Sequence, residues 1–167
     1  EIVPRSRHDN SMLDDTIAVG PQDAGLGLLE DKNIYIARQG GKAVAVIIPV
    51  VAPDGYSGDI ELIVGVNREG TIAGVRAPSH RETPGLGDAV DIKKSDWVLG
   101  FEGRSLTNPD LNGWAVKKDK GVFDQFTGAT ITPRAVVAAT LRALQFAEAN
   151  RKTLFADHTP TPAGGDS

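Results

Sequence analysis

Between Asp124 and Pro133 the chain reads Asp-Gln-Phe-Thr-Gly-Ala-Thr-Ile-Thr-Pro, so the Thr130 hydroxyl stands among small residues just ahead of an apolar helical pattern. Thr132 is a suitable N-cap, and Pro133 suits the first helical position, where its missing N–H would have no partner. A helix opening here would turn orphan backbone N–H groups and the positive end of its dipole toward Thr130. That arrangement favours an anion such as a phosphate. The same residues would also serve an ordinary well-capped helix preceded by a tight turn. No Lys follows the glycine as in a Walker loop, and no second glycine completes a dinucleotide fingerprint. Residue chemistry carries the reading as far as an anion site and no further.

A second candidate is His80–Asp88, His-Arg-Glu-Thr-Pro-Gly-Leu-Gly-Asp. His80 and Glu82 alone do not make a metal site, because two ligands two residues apart lack a third partner. Read by itself, this is a polar loop turned by Pro84 and Gly85. Tyr56 in the Ala52–Gly58 loop and Lys117 in Trp114–Asp119 are weaker candidates, each equally readable as an ordinary surface or core residue. Trp97 and Trp114 suit a core. The three histidines, His8, His80 and His158, form no nucleophile–base set, which leaves a hydrolase without support.

Composition narrows the classes. With 167 residues the chain is long enough for one domain with a sizeable core. A net charge of −4 and 5% aromatics supply neither the basic face nor the stacking platform expected of a nucleic-acid partner. There is no cysteine, which excludes disulfides, thiolate metal ligation and a Cys nucleophile. No apolar run approaches the ~20 residues needed to span a bilayer as a helix.

The elements that must position these residues read as α+β. Residues 1–30 look irregular and polar, with a short helix capped by Asn10 or Ser11 over Met12, Leu13, Ile17 and Val19. From Asn33 the period becomes strand-like. One hairpin is expected across Gln39–Lys42, with Pro49 marking an edge or bulge, and a second around Asn67–Gly70. A short helix capped by Ser95 and another strand over Trp114–Lys118 should follow. A long helix from Pro133 to about Asn150 then packs Val137, Leu141 and Leu144 on an antiparallel twisted sheet. The Pro/Gly-rich end reads as a flexible tail within 153–167.

Asp124, Thr127, Gly128, Ala129 and Thr130 together resemble the acceptor motif for covalent flavin mononucleotide (FMN) attachment: Asp, two residues, Ser or Thr, Gly, Ala, Thr. Ala52–Gly58, His80–Asp88 and Trp114–Asp119 support the same likeness, from about Asn33 to Asn150. The chain is similar to the soluble domains of the G-type subunits of the Rnf (or Rsx) electron-transport complexes. Those are relatives of the C-type subunit of the Na+-translocating NADH:quinone reductase.

The resemblance implies an FMN-binding domain over 31–152, with FMN joined to Thr130 by a phosphoester. Asp124, Thr127, Gly128 and Ala129 would be read by a flavin transferase. Glu82, Thr83, Pro84, Gly85, Leu86, Gly87, Tyr56, Lys117, Thr127, Gly128, Ala129 and Thr132 would lie around the cofactor. Within that set, Gly85 and Gly87 would allow close backbone approach, Leu86 would give an apolar contact, and Tyr56 would stack on the ring. Glu82 and Thr83 would bond the pyrimidine edge or orient their loop, and Lys117 would sit near the phosphate or the reduced ring. The resemblance further implies an arm over residues 1–30 following a removed N-terminal membrane helix, an inner-membrane location with the domain on the periplasmic side, and the other Rnf-type subunits as partners. Two rivals remain open: a non-redox scaffold that binds flavin or another anion, and an interaction domain with an unmodified Thr130.

Overall fold

The computed structural model describes residues 2–156. Its frame is one antiparallel sheet in sequence order: β1 (Thr16–Val19), β2 (Lys32–Gln39), β3 (Lys42–Gly55), β4 (Gly58–Asn67) and β5 (Ile72–Ser79). Consecutive antiparallel neighbours need only short turns. Gly40 and Gly41 both have positive φ in the β2–β3 turn, a conformation that L side chains resist. The expected loop at Ala52–Gly58 is instead a projecting hairpin. Here β3 and β4 stay paired out to Gly55 and Gly58, and Tyr56 and Ser57 form the tip.

Strand alternation gives the sheet two apolar faces. Val46, Ile48, Val50, Ile60, Leu62, Val64 and Val66 are buried on the face that meets α1 (Ile131–Ala149). Within α1, Val136, Ala139, Ala143, Leu144 and Ala147 recur at helical spacing and are buried. The opposite face is covered in part by the N-terminal segment, where Ile2, Val3 and Met12 pack with Ala37, Ala45 and Ile47. β3 is central, yet its pairing with β2 ends at Ile47, so Pro49 lies where that side of the strand is open and no ladder N–H is required.

Several local expectations change. The helix expected near Asn10 is one 3-10 turn, Met12–Asp14, and Thr16–Val19 pairs with β2 as an edge strand. The β-branched Thr16, Ile17 and Val19 suit a ladder better than a lone helical turn. Within residues 1–30, Leu26 and Leu28 are also buried in the main core. The strand expected over Trp114–Lys118 reduces to a single bridge, Val116 to Phe123, followed by a 3-10 turn at Lys117–Asp119. The cap expected at Ser95 shifts by one residue: the short helix is a 3-10 helix, Trp97–Phe101, with Asp96 at its N-cap, while Ser95 Oγ accepts the Trp97 N–H at 3.1 Å from just outside it. At the other end α2 (Arg151–Leu154) follows α1, and Leu154 and Phe155 pack into the core. Residues 157–167, including His158 and most of the expected tail, lie outside the described residues.

Candidate functional site

The first turn of α1, the 80–88 loop, the β3–β4 hairpin tip and the 124–130 turn meet at one end of the sheet. α1 begins one residue after Thr130, which is therefore its N-cap, and Thr130 makes no capping bond with its side chain. The N-cap expected at Thr132 is corrected: that residue lies inside the first turn, fully buried. Pro133 is tolerated in the same turn because its N–H would have had no intrahelical partner. The first helical bond is Arg134 N–H to Thr130 C=O, at 3.3 Å.

Thr132 is buried because its hydroxyl donates to Oε1 of Glu82. Glu82 is only 4% exposed, and both of its oxygens accept hydrogen bonds. Oε1 also accepts the Tyr56 N–H at 3.1 Å, and Oε2 accepts the Ser57 N–H at 2.9 Å. The Glu82 N–H in turn donates to Nδ1 of His80 at 3.2 Å, which leaves Nε2 as the protonated nitrogen facing Asp91 at 3.7 Å. The Asp91 carboxyl is held below its ordinary range by the Lys93 backbone N–H first and by His80 second, against an opposing effect of burial. His80 thus braces the loop.

The 80–88 loop closes on itself. Thr83 C=O accepts from Leu86 N–H at 3.0 Å and Asp88 N–H at 3.3 Å, and Gly85 N–H donates to Asp88 Oδ1 at 2.9 Å. Gly87 presses on the clamp beneath: a Cβ there would lie 2.8 Å from the Thr132 hydroxyl and 2.9 Å from Glu82 Cβ. Across the cleft, Ala129 N–H donates to Phe126 C=O at 3.2 Å, with Gly128 at φ +76° in between. The turn is fixed from behind by Trp97, whose Nε1–H donates to Asp124 C=O at 2.8 Å and whose ring meets Phe126 edge-on.

Together these elements form a cleft of about 270 Å³ lined by Tyr56, Thr83, Leu86, Gly87, Gly128, Ala129, Thr130, Ile131 and Thr132. All but Ile131 are residues singled out by sequence. Ile131 is 45% exposed, and its only sequence signal was its place beside Thr130. Glu82 lies beneath the wall rather than on it. Gly85, Asp124 and Thr127 line an adjoining cleft with Leu86, Leu99 and Trp97. Pro84 lines neither of these two clefts. Lys117 also lies outside both, paired with Asp124 at 2.7 Å between two largely exposed side chains. Among the described residues no cluster of three or more His, Cys, Asp or Glu could hold a metal, and no helix is long and apolar enough to cross a membrane.

The cleft suits a molecule with one anionic end. The first turn of α1 lines it through Thr130, Ile131 and Thr132, and a helix N-terminus offers unpaired N–H groups and the positive end of its dipole. Leu86, Ala129, Ile131 and the Tyr56 ring offer apolar walls, and threonine hydroxyls supply the polar points, the usual mixture in a ligand site. Its volume is slightly under the ~300–1,000 Å³ of pockets that engulf a ligand, so a large ring system would stay partly open to its surroundings.

Residues 55–145 match the family model described as the FMN-binding domain. The chain is 51% identical to the G-type subunit of an ion-translocating oxidoreductase complex from Shewanella loihica over 155 residues, 93% of this chain and 73% of that protein. It is 50% identical to the corresponding protein of Pseudomonas aeruginosa over 165 residues, 99% of this chain and 75% of that one. For the counterpart in Vibrio cholerae the identity is 44% over 165 residues, with 99% and 77% covered.

Proposed function

The chain belongs to the FMN-binding domain family and to the G-type subunits of ion-translocating oxidoreductase complexes, and from that premise we propose that Thr130 carries FMN covalently for electron transfer. The observation that carries this reading is the Thr130 hydroxyl itself. It stands at the N-cap of α1 on the wall of the cleft, and the capping bond that a threonine usually makes there is absent. A hydroxyl spared from that role is available for an ester.

Attachment proceeds when the Thr130 hydroxyl loses its proton and its oxygen displaces a nucleoside monophosphate from a flavin dinucleotide, the bridging oxygen leaving with the electron pair. The transferase supplies the base. The ester keeps one negative charge, which the first-turn N–H groups of α1 stabilise. Leu86, Ile131 and Tyr56 would hold the ring by apolar contact, and Gly128 adds no side chain to the cleft beside Thr130. The bound flavin supplies the redox chemistry; the chain supplies retention, orientation and field. Asp124 and Thr127, on the outer side of the same turn, form the surface a transferase would read.

In this reading the domain works on the periplasmic side of an inner membrane, held there by an N-terminal helix and by partner subunits of an Rnf-type complex. Covalent attachment suits that location, because a dissociated flavin would be lost. Co-expression with a flavin transferase followed by intact-mass measurement tests the bond. Wild type should gain one FMN less one water, and Thr130→Val should gain nothing. Fluorescence that leaves the chain on denaturation would refute the ester. Reduction by a partner subunit at a measurable midpoint potential distinguishes an electron carrier from a redox-silent scaffold.

A further inference from the structure

Beneath the cleft, one buried carboxylate joins segments that are far apart in sequence. Glu82 meets Thr132 across 50 positions and reaches the Tyr56–Ser57 tip across 26 and 25. Both of its oxygens accept bonds from the protein, and it does not line the cleft. We propose that Glu82 is a positioning residue that sets the Thr130 hydroxyl for flavin attachment, by clamping the hairpin tip and the first turn of α1 to the 80–88 loop. The inference rests on attachment at Thr130 as proposed above.

The clamp is specific to a carboxylate. Tyr56 N–H and Ser57 N–H approach different oxygens, so both oxygens must accept. A glutamine would turn its NH₂ toward one of those N–H groups, and an aspartate would fall one methylene short. The third partner, Thr132, lies two residues after Thr130 in the same helical turn. Its hydroxyl fixes the rotation of that turn, and with it the direction of the Thr130 side chain. Gly87 records how closely the parts are drawn together, since a single added carbon would overlap both Glu82 and Thr132. Tyr56 is 68% exposed, so its ring does not anchor the tip; the two backbone bonds to Glu82 do.

The test follows flavin loading over time by intact mass, on purified chain incubated with transferase and flavin adenine dinucleotide. Each variant is first shown to be folded by its circular dichroism and cooperative melt. Glu82→Gln and Thr132→Val should each load about tenfold more slowly, the fold-change equivalent to one buried hydrogen bond, and Thr132→Ser should restore the rate. Equal loading of wild type, Glu82→Gln and Thr132→Val overturns the clamp and leaves Thr130 attachment standing. A wild type that takes up no flavin overturns attachment itself. If Glu82→Gln does not fold, the Thr132→Val and Thr132→Ser pair decides: rescue by the hydroxyl supports the clamp, and equal rates sink it.

Discussion

Gly87 and Gly128 both line the cleft, for different physical reasons. Gly87 is a matter of space, with Glu82 Cβ 2.9 Å and the Thr132 hydroxyl 2.8 Å from any added Cβ. Gly128 is a matter of backbone, at φ +76° with only Leu86 near. Gly87→Ala should therefore destabilise by about 1–3 kcal/mol through overpacking. Gly128→Ala should cost about 1–2 kcal/mol through left-handed strain. Urea midpoints measure both, and a Gly87→Ala midpoint equal to wild type would show that the loop shifts freely. A pH prediction belongs to Asp91, whose carboxyl titrates below its ordinary value near 3.8 in the fold. A depressed folded pKa contributes stability above the unfolded pKa and loses it as pH falls through the folded one. Wild type should thus lose stability more steeply than Asp91→Asn as pH falls below the ordinary carboxylate value, as followed by urea melts at stepped pH. Parallel curves would mean that Asp91 gains nothing from Lys93 and His80. Thr130, Leu86 and Tyr56 were legible at this scale because motif and resemblance name single residues. The Glu82–Thr132 bond was not, since no local pattern signals a contact across 50 positions.

At the scale of elements, the hairpins and the long helix were legible because each is local: a period of two with glycine turns, then a period near 3.6. The N-terminal segment was not, since its strand exists only through a partner. β1 has four residues and takes its ladder from β2. The join is reinforced by a polar knot. Arg38, 9% exposed, donates through Nε to Asp15 at 2.7 Å, and Asn10 bridges Asp15 to the Ile36 carbonyl. Asp15→Ala should cost about 1–3 kcal/mol, because the Nε–H of a nearly buried guanidinium loses its acceptor. Urea denaturation would report it, with an unchanged midpoint marking the knot as solvated. The start of α1 was misplaced by pattern for a related reason. Thr132, standing before Pro133, read as the cap, but its hydroxyl is drawn inward by a partner 50 positions away, and the helix begins one residue earlier, at Ile131.

On the scale of the whole molecule, the antiparallel frame sorts the protein into two ends. The β3–β4 tip, the 80–88 loop and the start of α1 share one end with the 124–130 turn. The β4–β5 turn and α2 share the other, joined by Arg151 donating to the Arg68 carbonyl. A cofactor attached as proposed to Thr130 would be carried at an extremity, on a cleft of about 270 Å³ whose rim includes the exposed Tyr56, Leu86 and Ile131. A site of that size grips part of a flavin and leaves the rest reachable, which suits a carrier that must meet partners more than an enzyme that must exclude water. Loaded protein should therefore show flavin fluorescence that iodide quenches readily in the native state. It should also show reduction by small soluble dyes without any delay for opening. Tyr56→Ala should increase the quenching while changing the unfolding free energy by less than about 0.5 kcal/mol, as surface changes do. Native flavin fully shielded from iodide would mean that the tip and loop close over the ring, and that electrons reach it only after the clamp has moved.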